Sequence, residues 1–234
     1  MSKIARIRIL NLNYNNNTIK IDDEMFDFNG QNTLISLRNG GGKSVLVQMM
    51  VSLFVNRSYR DFGDRPFKSY FTTNRPTFIM TEWILDNKAD RFLAGMMVRK
   101  SQREDNDAEE LEMYTFTGNY SKACSYDIEN LPVIIQEGSK KILRGFSECK
   151  NLLEEISKSE SRNFRLYDMT SSYGRGQYFN KLREYQVNNK EWESIIRKVN
   201  QKESGLSELF QNAKDEKNLV ENWFLRPIED KLNQ

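Results

Sequence analysis

The hydrophobic pattern changes period several times in the first fifty-five residues. Over residues 4–10, Ala5, Ile7 and Ile9 fall on one side and Arg6 and Arg8 on the other. This is the period-two pattern of a half-buried strand. Arg6 and Arg8 read as solvent-facing positions, with contact to a nucleotide or to DNA as the alternative. Residues 11–17 are asparagine-rich and predict a turn. Residues 18–21 and 25–28 predict two further short strands. Residues 33–37, T-L-I-S-L, form an apolar, β-friendly run that reads as a buried strand. Three consecutive glycines follow within 38–42. Residues 44–55 are then apolar almost all round, the pattern of a central helix buried on most sides.

Further along, residues 77–85, 91–100 and 111–117 predict three strands. A turn at 86–90 and an acidic loop at 101–110 join them into an antiparallel meander. Residues 131–135 are a short apolar piece. Residues 147–157 read as a helix with Leu152, Leu153 and Ile156 on one side, and 164–169 as a strand. The stretch S-S-Y-G-R-G-Q at 171–177 reads as a glycine turn before a helix over 178–185. From residue 188 the chain reads as mostly helical. Trp192, Ile195, Ile196 and Val199 share a face, and a second stripe runs from Leu219 and Val220 through Trp223 to Leu232. Pro227 interrupts that stripe.

Composition narrows the classes. At 38% hydrophobic and 29% charged residues, the chain has an ordinary globular make-up. A net charge of +2 gives no global pull on nucleic acid, so any such contact needs a local basic patch. No signal peptide and no long apolar run is evident, which predicts a cytoplasmic protein without a membrane partner. The sequence has no histidine, which excludes a Ser-His-Asp triad and any His-bearing zinc site. Cys124 and Cys149 lack metal-ligand spacing and read as reduced structural thiols.

The chemistry concentrates at L-R-N-G-G-G-K-S, residues 37–44. A strand, a glycine turn, Lys-Ser and a buried helix make up the setting of a phosphate-binding P-loop. Glycines let the backbone approach an anion, successive N–H groups point at it, and the helix N-terminus adds partial positive charge. Arg38, Asn39, Gly40, Gly41, Gly42, Lys43, Ser44 and Val45 are the candidate ATP-binding residues. Lys43 would reach the β- and γ-phosphates, and the Ser44 hydroxyl would ligate Mg²⁺. Leu37 stands where the G-x-x-x-x-G-K-[ST] motif has its first glycine, a departure that touches the entry to the turn.

Asn39, Gly40, Gly42, Lys43 and Ser44 match G-x-N-G-x-G-K-S, the form found in the SMC family of chromosome-structuring ATPases and their repair relatives. The chain resembles the N-terminal part of such an ABC-type head, from its first residues through the P-loop helix. The resemblance implies an α/β P-loop NTPase lobe with a mixed sheet, an antiparallel β-meander and C-terminal helices. It would comprise strands, P-loop and helix over 1–57, the meander over 76–118, and a helical exit over 188–234 toward a coiled coil. It also implies a glutamine that ligates Mg²⁺ near the γ-phosphate. Gln201, followed by G-L-S-E-L-F, is similar to that residue, with Gln177 as competitor. Residues 56–74 interleave cations with aromatics, and Arg57, Arg60, Arg65 and Lys68 are the candidate DNA contacts.

Two family elements are not found. W-I-L-D at residues 83–86 resembles a Walker B strand, but Asn87 stands where an acidic residue should follow. The glycine stretch at 171–177 echoes an ABC signature without a Walker B strand downstream. The resemblance therefore implies partners: a C-terminal lobe of the same head, a second head, DNA, and kleisin-like or accessory subunits. In bacteria such a protein would be nucleoid-associated. The implied function is ATP-dependent organisation, segregation, repair or defence of DNA. The alternatives are a compact repair ATPase without long arms, or a non-hydrolysing nucleotide-binding interaction module.

Overall fold

The computed structural model describes residues 2–14, 18–36, 41–61, 66–87, 89–101 and 111–200. Its centre is a six-stranded antiparallel sheet in the order β2-β1-β3-β4-β5-β8. The strands are β1 (Lys3–Tyr14), β2 (Ile19–Asp27), β3 (Thr77–Ile84), β4 (Arg91–Lys100), β5 (Leu111–Tyr120) and β8 (Phe164–Asp168). A hairpin of β6 (Ile134–Glu137) and β7 (Lys140–Leu143) stands apart. The helices are α1 (Lys43–Ser52), α2 (Phe146–Ser159), α3 (Ser172–Glu184) and α4 (Asn189–Asn200).

The meander predicted from residue 77 onward is present, with Thr77 opposite Val98 and Val98 opposite Met113. The α/β character also holds. The expected mixed sheet does not: every pairing among the described residues is antiparallel. One reason is local. Residues 33–36, expected as a buried strand, form no strand, and Leu34 is 94% exposed. They pair with no strand among the described residues, so their β-propensity goes unused. Residues 18–21 and 25–28 merge into the single strand β2. Nor does the asparagine run begin a turn at Asn11, because β1 continues to Tyr14. Asn11 instead adopts a left-handed conformation (φ 53°) inside the strand. Beyond this kink Leu12 rejoins the core face of Ile7 and Ile9.

Two hydrophobic layers flank the sheet. On one face Ile7, Ile9, Ile79, Trp83 and Ala94 meet Met49 and Leu53 at α1 and Tyr178 and Leu182 of α3. On the other, Phe78, Met80, Leu93 and Phe116 meet Phe146, Cys149 and Leu153 of α2. Strands β3 and β4 are buried on both faces and so read as nearly continuous apolar runs. Trp192 of α4 packs on Phe54, with ring centroids 5.1 Å apart, and Ile196 joins Val51 and Val55. Ile195, expected on the same buried face, points outward at 53% exposure. The side chain of Val199 and the stripe from Leu219 to Leu232 lie outside the described residues.

Arg8 is buried and Arg6 is only partly exposed, where both were expected to face solvent. Their side of β1 is covered by residues 126–133, so both guanidiniums are tied into the protein. Arg6 forks onto Glu82 at 3.0 and 2.8 Å and also contacts Glu129. Arg8 forks onto Asp23 and donates to the carbonyls of Ile128 and Glu129, all at 2.8 Å. Asp127 shapes the covering segment by accepting from the backbone N–H groups of Glu129 and Asn130. Burial raises its pKa, but hydrogen bonds from Cys124, Asn130 and Glu129 outweigh this and hold the carboxyl below its ordinary value.

The glycine stretch at 171–177 is not a turn but the start of α3. Ser171 caps the helix by accepting from the Gly174 N–H at 2.9 Å. Gly174 packs so closely that a Cβ would lie 2.0 Å from the Asp168 carbonyl oxygen. Backbone cannot yield as a side-chain tip can. Gly174→Ala is therefore expected to destabilise the fold by about 2–3 kcal/mol, the scale of overpacking. Gly176→Ala, where a Cβ meets nothing within 4 Å, should be neutral or slightly stabilising. Urea denaturation of the two variants checks this; equal midpoints would refute it.

Candidate functional site

The best-formed candidate is the N-terminus of α1. Gly42 caps it in the left-handed region (φ 86°), and its carbonyl accepts the first helical bond from Leu46 at 2.8 Å. A Cβ on Gly42 would lie 2.9 Å from the Tyr14 hydroxyl. Glycine is thus favoured by both conformation and the close approach of β1. No side chain caps α1 and its first turn holds no acidic residue. The opening N–H groups and the positive end of the helix dipole suit an anion. Lys43 and Ser44 are exposed in this first turn, whereas Val45 turns into the core. Gly41 is exposed just before it. Leu37, Arg38, Asn39 and Gly40 lie outside the described residues.

The rest of α1 is held in place by more than apolar packing. Gln48 is fully buried. Its amide donates to the Arg60 carbonyl at 2.9 Å, and its side-chain oxygen accepts from the Tyr70 hydroxyl at 2.8 Å. Arg60 Nε donates to the Ser52 carbonyl, at the far end of α1, at 3.1 Å. Each buried polar atom named here has a partner, as burial requires.

The four candidate DNA contacts do not behave alike. Arg57 and Lys68 are exposed, on short 3₁₀ turns at Arg57–Tyr59 and Phe67–Tyr70. Arg60, expected on the surface, is only 5% exposed. It runs between α1 and Met113, and its guanidinium sits 5.8 Å from the centre of the Phe67 ring. Its hydrogen bonds to the α1 end draw it inward, which a count of basic residues cannot reveal. Arg65 lies outside the described residues. Arg57, Arg60 and Lys68 nevertheless line one cleft of about 720 Å³, together with Arg175 of α3. Sequence reading missed Arg175, because only folding brings α3 beside the segment after α1.

The carboxylates near W-I-L-D do not supply a base at the α1 turn. Glu82 is 2% exposed and lies on the sheet face away from α1, since its neighbours Thr81 and Trp83 alternate to the other side. It is occupied by Arg6 and by the Tyr120 hydroxyl at 2.6 Å. Burial and the Glu82 charge both raise the Tyr120 pKa. Asp86 sits in the exposed turn after β3. Gln177 lies on α3, and Gln201 lies outside the described residues. Among the described residues no group of three or more acidic, Cys or His side chains could hold a metal. A Mg²⁺ at the α1 turn would therefore depend on Ser44 and on phosphate oxygens. Cys149 is buried and its thiol is pushed up to about 12, so it is a packing residue and a poor nucleophile.

Together these elements define an antiparallel α/β fold presenting an uncapped, glycine-led helix start. No family model matches the chain, and no curated protein matches it. Among the described residues no helix is long and apolar enough to cross a membrane.

Proposed function

We propose that the chain is an ATP-binding N-terminal lobe of an SMC-like ABC-type ATPase head that acts on DNA in the cytoplasm. The observation that carries this reading is the start of α1. Gly42 is left-handed, the helix is uncapped, and Lys43 and Ser44 are exposed side by side on its first turn. Gly41 to Ser44 would hold the phosphates, with Lys43 on their charge and Ser44 on Mg²⁺. Arg38 to Gly40 and Gln201 would complete the site as the resemblance implies. Bound ATP and Mg²⁺ supply the phosphoryl group and the charge that polarises it. Arg57, Arg65 and Lys68 remain the proposed DNA-facing cations; Arg60 is withdrawn, being buried.

Exposed apolar surface beside the turn supports a missing partner. Leu34 and Val47 are 94% and 45% exposed, in segments whose sequence reads as core. A C-terminal lobe covering them would let residues 33–36 become the strand their composition favours. A second head and accessory subunits would then be needed for turnover. The test is calorimetric titration with MgATP beside a phosphate-release assay. ATP should bind, but turnover should stay at background, because assisted hydrolysis depends on groups worth about 10³-fold or more in rate. Absence of ATP binding overturns the reading. Steady turnover abolished by Lys43→Ala would instead place a catalytic carboxylate within this chain.

A further inference from the structure

We infer that the outer edge of β2 is a docking site for a basic, extended segment of another polypeptide, which adds to the sheet as a further strand. Among the described residues β2 pairs with β1 alone and so ends the six-stranded sheet. Its nine residues make a long edge, and none of them is buried, whereas in β3 all but Ile84 are. The opposite edge, β8, has five residues and packs against α2 and α3. An edge strand offers a row of backbone donors and acceptors to an incoming chain.

The direction of those groups follows from the ladder. The Phe28 N–H donates to the Ala5 carbonyl at 2.7 Å, and Asp27, Phe26 and Glu24 stand opposite Arg6, Ile7 and Ile9. Alternation turns the backbone groups of Phe26 and Glu24 toward β1, and those of Asp23, Met25 and Asp27 toward the open side. The side chains alternate between faces as well. Phe26 packs on the α1 layer, and Glu24 stands opposite Ile9 of that layer. Met25 and Asp27 stand opposite Arg8 and Arg6, on the other face. An incoming strand that reads basic, apolar, apolar, basic therefore matches Glu24, Met25, Phe26 and Asp27 pair by pair.

Charge selects the occupant. Strand β2 carries Lys20 against Asp22, Asp23, Glu24 and Asp27. Lys20 pairs with Asp22 at 2.5 Å and Arg8 with Asp23 at 2.8 Å, so Glu24 and Asp27, both exposed, carry the remaining negative charge. A second copy pairing antiparallel about Asp23 would set Asp22 against Glu24 and Asp23 against itself, which like-charge repulsion opposes. The longer stretches of this chain outside the described residues, 101–110 and 201–234, also hold more acidic than basic side chains. A basic segment from another polypeptide meets neither obstacle. The inference does not rest on ATP binding at Lys43.

The experiment uses the 234-residue chain and a fluorescein-labelled peptide with Lys-Val-Ile-Lys at its centre, matched in length to the nine residues of β2. Fluorescence polarisation should show saturable binding. Glu24→Lys should weaken it about three- to tenfold, the scale of losing one cross-strand ion pair and gaining a like-charge pair. Met25→Pro removes an outward N–H at a place where an edge strand tolerates proline, and should abolish binding with an unchanged circular dichroism spectrum. If that variant unfolds, the peptide N-methylated at Val and Ile makes the same test on the unaltered chain, and should not bind. Hydrogen exchange at the Met25 and Asp27 amides should slow on binding, while that of Phe26, directed at β1, stays as it was. No saturable binding overturns the inference, as does equal binding of the N-methylated peptide or of one with Glu-Val-Ile-Glu at its centre. Unchanged affinity in Glu24→Lys or in folded Met25→Pro also overturns it. A dimer in sedimentation that Met25→Pro dissociates would assign the edge to a second copy instead.

Discussion

Lys43→Ala is expected to weaken MgATP binding by about 10- to 100-fold while leaving the melting temperature unchanged. The magnitude follows from removing one charge-assisted contact to a phosphate, about 1.5–3 kcal/mol, at 1.4 kcal/mol per tenfold. The neutrality toward folding follows from position. Lys43 is exposed on the first turn of α1, while the helix is held by Val45, Leu46, Gln48 and Met49. Ser44→Ala should cost less for ATP alone and more when Mg²⁺ is present, because the hydroxyl is proposed to act through the metal. Calorimetry with and without Mg²⁺ separates the two. Unchanged affinity in Lys43→Ala would remove the assignment of this turn to phosphate binding.

The largest expected stability effect is at Gly95. It lies on β4 directly opposite Phe116 of β5, and the aromatic ring fills the space a side chain would need. A Cβ on Gly95 would sit 2.2 Å from the ring. Phe116 is fully buried and stacks on Phe164 at 5.6 Å, so it cannot swing aside. Gly95→Ala is expected to cost about 3 kcal/mol, the upper end for overpacking, seen as a lower urea midpoint. Phe116→Leu loses packing on its own. In the double variant, however, it should recover part of the Gly95→Ala loss, giving a coupling of about 1–2 kcal/mol. Strict additivity of the two changes would show that the ring does not impose the glycine.

The parts of this fold that were legible in the sequence are those whose pattern and setting agree. Strands β3 and β4 show long apolar runs broken by polar connections, and helix α1 follows a glycine-rich stretch. The remainder turned on what lies opposite each residue. Residues 33–36 have the composition of a core strand but pair with no strand among the described residues, so composition alone misplaced them. Arg6 and Arg8 alternate as surface residues do, yet residues 126–133 cover them, and nothing within β1 announces that cover. The glycines at 174 and 176 suggested a turn; Gly174 is required by the Asp168 carbonyl, a contact set by helix packing. The candidate site divides in the same way. The Gly-Lys-Ser turn is a linear motif, while the cleft joins Arg57 and Lys68 to Arg175 only through the fold.

The polar ties of α1 have a mechanical consequence. Gln48 grips the Arg60 carbonyl and the Tyr70 hydroxyl, and Arg60 grips the end of the helix in return. The helix and the segment carrying Arg57 and Lys68 therefore form one strut rather than a rod with a loose tail. A push along its axis at Lys43 cannot leave Arg60 behind without breaking buried hydrogen bonds. A load applied at the glycine turn would reach the basic cleft as a displacement, and the cleft would be the gauge on which it registers.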